Sequence, residues 1–82
     1  MNATEVEAKV KAILVDKLGV QEAEIVEATD LRADLGCDSL DAVEIIMECE
    51  KEFNISIPDD EAANLNTVLE ITTYITKALQ PK

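Results

Sequence analysis

The sequence predicts an all-α protein: a small four-helix bundle of three main helices and one short one, with a long loop after the first helix. Three observations carry this. Apolar residues recur at helical spacing in three separate stretches. Helix-start residues precede each stretch, and Gly19, Asn54 and Pro81 stand where helices stop. Only two glycines and two prolines interrupt the chain, too few for a turn-rich β fold. Its 82 residues, 48% of them apolar, suit one domain with its own core, here taken as residues 1–82.

The first helix is expected over residues 5–18. Thr4 and Glu7 read as a T-x-x-E capping box, and Val6, Val10, Ile13, Leu14 and Leu18 follow at helical spacing before Gly19. Residues 20–37 show no sustained period. A loop this long in a compact domain usually has a task, and Ile25, Leu31 and Leu35 are its expected anchors to the core. A second helix begins near Ser39, with Asp38 or Ser39 as cap and Asp41 in the first turn, where the helix dipole favours negative charge. It should end at Phe53, before Asn54. Residues 55–58 form an extended connector, and Pro58 followed by Asp59, Asp60 and Glu61 predicts a short helix over 58–64. A second T-x-x-E box, Thr67 to Glu70, opens the last helix, which carries Val68, Ile71, Ile75, Ala78 and Leu79 and is closed by Pro81.

Composition excludes several functions. The formal net charge is −11, so the chain would repel a nucleic-acid backbone. No apolar run is long enough to span a membrane. The N-terminal residues lack a basic n-region and an apolar h-region, so no signal peptide is expected and the location is read as cytoplasmic. With no histidine, a His-based catalyst, a haem site and a Cys/His zinc site are out of reach. Cys37 and Cys49 read as two reduced thiols, the sharper alternative being a reactive Cys37 in its loop. Asp30, Asp34, Asp38 and Asp41 lie between two helices as in a calcium loop, but neither register offers both the glycine and the oxygen ligand that an EF-hand requires. No dedicated metal site is expected.

Wound as a helix, residues 40–53 show three faces. Ala42, Ile45, Ile46, Cys49 and Phe53 make a core face. Asp41, Glu44, Glu48 and Glu52 make a carboxylate stripe. Leu40, Val43 and Met47 make a third, apolar line, which either packs under the third helix or meets a partner; pattern alone favours packing. From Ala33 to Thr76 the only basic residue is Lys51, so the stripe is expected to lack cations of its own chain.

The stretch Asp34-Leu35-Gly36-Cys37-Asp38-Ser39-Leu40-Asp41 resembles the phosphopantetheine attachment site of acyl carrier proteins, whose core is D-S-L after a D-L-G-x lead-in. Downstream, Val43-Glu44, Met47, Glu52-Phe53, Ile57-Pro58-Asp59-Asp60-Glu61-Ala62, Thr67-Val68 and Tyr74-Ile75 are similar to the family's pattern at matching spacing, as is Leu18-Gly19-Val20 upstream. The resemblance runs through nearly the whole chain. It implies that Ser39 is esterified with 4′-phosphopantetheine, taken from coenzyme A by a separate phosphopantetheinyl transferase that uses magnesium. The thiol of that arm would carry growing acyl chains between fatty acid synthesis enzymes. It implies a carrier without catalytic residues. It also implies a docking face of Asp38, Leu40, Asp41, Val43, Glu44, Met47 and Glu48 for basic patches on ketoacyl synthases, reductases, a dehydratase and acyltransferases. The chain is expected to act as a monomer. Cys37 departs from the family, where a small alanine is frequent, and Cys49 stands where a larger aliphatic is usual. The alternatives are a specialised carrier of polyketide, aminoacyl or other thioester cargo, and a non-covalent acidic interaction module in which Ser39 is only a cap.

Overall fold

A computed structural model describes residues 2–79. Helix α1 (Ala3–Leu18) starts earlier than expected. Asn2, not Thr4, is its cap: Asn2 Oδ1 accepts the Glu5 amide at 2.9 Å. Asparagine caps at least as well as threonine, so the Thr4–Glu7 box does not form, and Glu7 instead meets Lys11 one turn on at 3.5 Å. Gly19 ends the helix at φ 67, a left-handed conformation that glycine adopts without a Cβ penalty, and its amide returns to the Val15 carbonyl.

Helices α2 (Ser39–Phe53) and α3 (Asp59–Ala62) follow, then α4 (Val68–Leu79). The α2 boundaries are those the sequence predicts, and Asn54 closes it in the left-handed region at φ 53. The α3 helix is shorter than 58–64, with Pro58 as the residue before its first turn. The Thr67–Glu70 box is present: Thr67 Oγ1 accepts the Glu70 amide at 3.2 Å and Glu70 Oε1 accepts the Thr67 amide at 3.0 Å. Pro81, the expected stop of α4, lies outside the described residues.

The loop after α1 contains one 3-10 turn, Glu22–Glu24. It is bound to the start of α4 by its own backbone. The Thr29 carbonyl accepts the Val68 amide at 3.1 Å, the Glu27 carbonyl accepts the Leu69 amide at 2.9 Å, and Leu31 donates to the Asn66 carbonyl at 3.0 Å. The first amides of a helix lack intrahelical acceptors; here the loop supplies them. Thr29, a buried residue, ties the loop internally by accepting the Val26 amide at its hydroxyl.

The α1 helix packs against both α2 and α4. Val6, Val10, Ile13 and Leu14 meet Ile45, Cys49 and Phe53 of α2 and Val68, Ile71 and Ile75 of α4 in one core, with Ile25, Leu31, Cys37 and Ile57 closing it. Ile25 and Leu31 are buried as expected, whereas Leu35 is half-buried. On α4, Ala78 faces solvent and Thr72 takes a buried place instead. The Thr72 hydroxyl has no hydrogen-bond partner there. Burial of an unpaired hydroxyl is unfavourable, and an isosteric methyl removes the cost. Thr72→Val is therefore expected to stabilise the protein by about 1 kcal/mol, a rise in Tm of roughly 4–8 °C. A melting curve that is unchanged or lower would show that the hydroxyl is satisfied in solution.

Candidate functional site

Segment 30–37 brings the loop to the start of α2. Asp30 Oδ1 accepts the amides of Arg32 and Ala33, both at 2.9 Å, and Asp34 Oδ2 accepts the Asp30 amide at 2.8 Å. The Leu31 carbonyl accepts the Cys37 amide at 2.9 Å, and Gly36, at φ 69, makes the turn between them. Asp38 then caps α2: its Oδ1 accepts the Asp41 amide at 2.8 Å, and Asp41 Oδ2 faces the Asp38 amide in return at 3.5 Å. Of the two cap candidates, Asp38 holds the role. Ser39 is the first helical residue, exposed, and its hydroxyl makes no hydrogen bond among the described residues.

Ser39 stands at the rim of a hollow of about 450 Å³ between α2 and α3. Its α2 wall is Ala42, Val43, Ile46, Met47 and Glu50; Ile57, Ala62 and Leu65 face them, and Leu31, Arg32 and Cys37 close the end near Ser39. Glu50 fixes the far wall, its carboxylate accepting the Ile57 amide at 2.9 Å. On the other side of α3, Glu61 accepts the hydroxyl proton of Tyr74 and ties it to α4.

This geometry corrects two expectations. Leu40, Val43 and Met47 do not pack under α3: they are 68%, 55% and 57% exposed. The short α3, four residues with an exposed acidic first turn, does not reach across to cover them. For the same reason Ala42 and Ile46, expected in the core, are only half-buried and line the hollow. Nor does the carboxylate stripe lack cations. Lys9 of α1 meets Glu52 at 2.8 Å and Lys17 meets Glu48 at 3.5 Å. These pairs are invisible in a count along the chain because α1 supplies them from across the bundle. Asp41 is engaged in the cap, so Glu44 is the stripe's exposed carboxylate without an ion pair among the described residues. Three participants have no local sequence signal: Thr29, Glu50 and Arg32 act through partners distant in the chain or through a hollow that only the fold creates.

Both cysteines are free and buried. Burial, then the nearby Asp41 and Asp38 carboxylates, push the Cys37 thiol up, against a smaller opposite pull from Arg32. Its Sγ–H points to the Asp38 carbonyl at 3.5 Å. A thiol so placed is a poor nucleophile, so the reading of Cys37 as reactive does not hold. Burial and the adjacent glutamates push Cys49 up to about 12. Among the described residues, no three His, Cys, Asp or Glu side chains form a metal cluster, and no helix is long and apolar enough to cross a membrane.

The sequence profile described as phosphopantetheine attachment site matches residues 8–75. The chain is 49% identical over 77 residues to an acyl carrier protein of Porphyromonas gingivalis, covering 94% of this chain and 99% of that one. It is 47% identical over 78 residues to an acyl carrier protein of Karelsulcia muelleri, covering 95% and 94% of the two chains. The fold matches a solved acyl carrier protein from Enterococcus faecalis with a TM-score of 0.82 at 28% identity, over 95% of this chain and 99% of that one.

The raised thiol of Cys49 makes stability pH-dependent with a definite sign. An unfolded cysteine loses its proton near the ordinary value of 9.0, while the folded one holds it to about 12. Across that window the folded state binds more protons, so the contribution is fully present below the unfolded value and is lost as pH rises. Relative to Cys49→Ala, the wild-type unfolding free energy should decline above pH 9 by at most about 1.4 kcal/mol per pH unit. Urea titrations of both proteins across this range measure it; parallel curves would refute it.

Proposed function

The chain belongs to the phosphopantetheine-attachment family of acyl carrier proteins, and from that premise we propose that Ser39 is the residue on which its 4′-phosphopantetheine arm is esterified. The arm is a covalent cofactor of this family, and its terminal thiol holds acyl groups as thioesters. The protein is a carrier of acyl chains, of a family that is not catalytic.

The observation that carries the Ser39 assignment is the division of roles between two neighbours. Asp38 does the capping, so the Ser39 hydroxyl is exposed, with no hydrogen bond among the described residues to give up. The donor set fits a phosphodiester at this atom. The Asp41 amide is taken by Asp38, but the amides of Ser39 and Leu40 have no intrahelical acceptors and lie at the positive end of the α2 dipole. Arg32 borders the same hollow. The remaining readings rest on this one: a single carrier domain over residues 1–82, fatty acyl cargo, and a cytoplasmic location, where two unpaired thiols persist. Ketoacyl synthases, reductases, a dehydratase and acyltransferases are the proposed partners, with the transferase that loads the arm.

Docking falls to the exposed part of α2. Asp38, Asp41 and Glu44 present negative charge beside Leu40, Val43 and Met47, each more than half exposed. Glu48 belongs to the same face but shares its charge with Lys17. Complementary charge speeds encounter more than it tightens binding, which suits a carrier that must leave each enzyme.

The direct test is loading. Ser39→Ala, incubated with coenzyme A, magnesium and a phosphopantetheinyl transferase, should gain no mass while wild type gains that of the arm. Because Asp38 is the cap, the variant's stability should lie within about 0.5 kcal/mol of wild type. A loaded variant would refute the assignment.

A second test separates local from global charge. Glu44→Lys should slow acyl transfer to a partner synthase, mainly in association, and the defect should shrink as salt rises. Glu22→Lys, exposed on the 3-10 turn, changes net charge equally and should leave the rate near wild type. Glu50 is unsuitable as this control because its carboxylate holds the Ile57 amide. Equal defects in the two variants would remove the docking face.

A further inference from the structure

Arg32 is the chain's single arginine. It and Ser39 border the same hollow between α2 and α3. Its backbone is held in place from both sides: the Asp30 carboxylate accepts its amide at 2.9 Å, and its carbonyl accepts the Gly36 amide at 3.2 Å. The neighbouring carboxylates of Asp30 and Asp34 are turned to backbone amides. Among the described residues every ion pair is made by a lysine of α1, and the Arg32 guanidinium has none. Lys51 and Lys77 likewise make no ion pair among the described residues, but Arg32 alone of these three borders the hollow.

We propose that Arg32 is a positioning residue for the arm: its guanidinium receives the phosphodiester formed at Ser39. This rests on the Ser39 assignment. A guanidinium offers paired donors that match two phosphate oxygens. Loading places a new negative charge beside Asp38 and Asp41, and like charges there oppose it. Arg32 offsets that repulsion and, by holding one end of the arm at the loop side, sets the direction in which the rest leaves Ser39.

The test compares apo and loaded forms of wild type, Arg32→Gln, Arg32→Lys and Lys51→Gln. Lys51 is exposed near the opposite end of α2 and controls for net charge. Intact mass first establishes loading; a wild type that stays unloaded, or is loaded elsewhere than Ser39, refutes the attachment reading and not this one. In proteins shown to be loaded, the Tm change on loading is measured at low ionic strength. Arg32→Gln should lose about 1–5 °C more than wild type on loading, as expected of one exposed ion pair in a domain of this size. Arg32→Lys should recover part of that loss, and Lys51→Gln should match wild type. The single arginine side-chain N–H resonance of wild type should shift on loading, and the shift should diminish at about 1 M salt. An arginine resonance unmoved by loading, or equal loading penalties in Arg32→Gln and Lys51→Gln, overturns the proposal.

Discussion

The structure depends on how the long loop closes the start of α4. Two loop carbonyls, of Thr29 and Glu27, accept the amides of Val68 and Leu69, and the Thr67 hydroxyl takes that of Glu70. Each such bond contributes only about 0.5–1.5 kcal/mol net, but leaving a partly buried amide unpaired costs as much or more. The loop and the helix are therefore each incomplete without the other. The bonds commit the loop to one path, and that path puts Leu31 and Cys37 into the core. From Cys37 only Asp38 remains before α2 begins. The orientation of Ser39 is thus set from the far side of the bundle, through α4, rather than by its own helix alone.

The same bundle divides the acidic face of α2. Lys9 and Lys17 of α1 stand against Glu52 and Glu48, the C-terminal half of the stripe. Exposed pairs of this kind add little stability, yet they change the local field. Among the described residues, negative charge is partly neutralised toward Phe53, while Asp38, Asp41 and Glu44, around Ser39, make no ion pair. A uniform stripe would attract a basic surface anywhere along the helix. The graded one would concentrate attraction at the end where the exposed serine lies, and Leu40 and Val43 are exposed at that end.

Much of this was legible in local sequence. The limits of α2, its cap, the Thr67–Glu70 box and the Gly19 stop depend on neighbours within a turn, and sequence records such neighbours directly. Thr4 misled because two competent caps, Asn2 and Thr4, stand close together and pattern does not rank them. The remaining differences are all between elements. Lys9 and Lys17 reach α2 from another helix. Glu50 holds Ile57 across a connector. The exposure of Val43 and Met47 follows from how far the short α3 stands from α2, which no periodicity in either helix encodes. The exposed Ser39 at the start of α2 and the acidic face proposed for docking were legible in the sequence, but the hollow beside them and the presence of Arg32 along it belong to the assembled bundle.

The neighbours Asp38 and Ser39 show why a serine in this setting can be modified without loss of the helix that presents it. Had Ser39 been the cap, its oxygen would accept the amide of the first turn, and an ester there would weaken a bond worth about 1 kcal/mol. A carrier modified there would then differ in stability between its bare and loaded forms. Moving the cap back one residue to a carboxylate avoids the conflict. Asp38 also binds the amide more strongly than a hydroxyl would, because a charged acceptor makes the stronger hydrogen bond. The cost is a negative charge next to the place proposed for the phosphodiester. That cost is electrostatic, reaches beyond contact distance, and can be offset by a cation that touches neither the cap nor the helix, such as the one on Arg32.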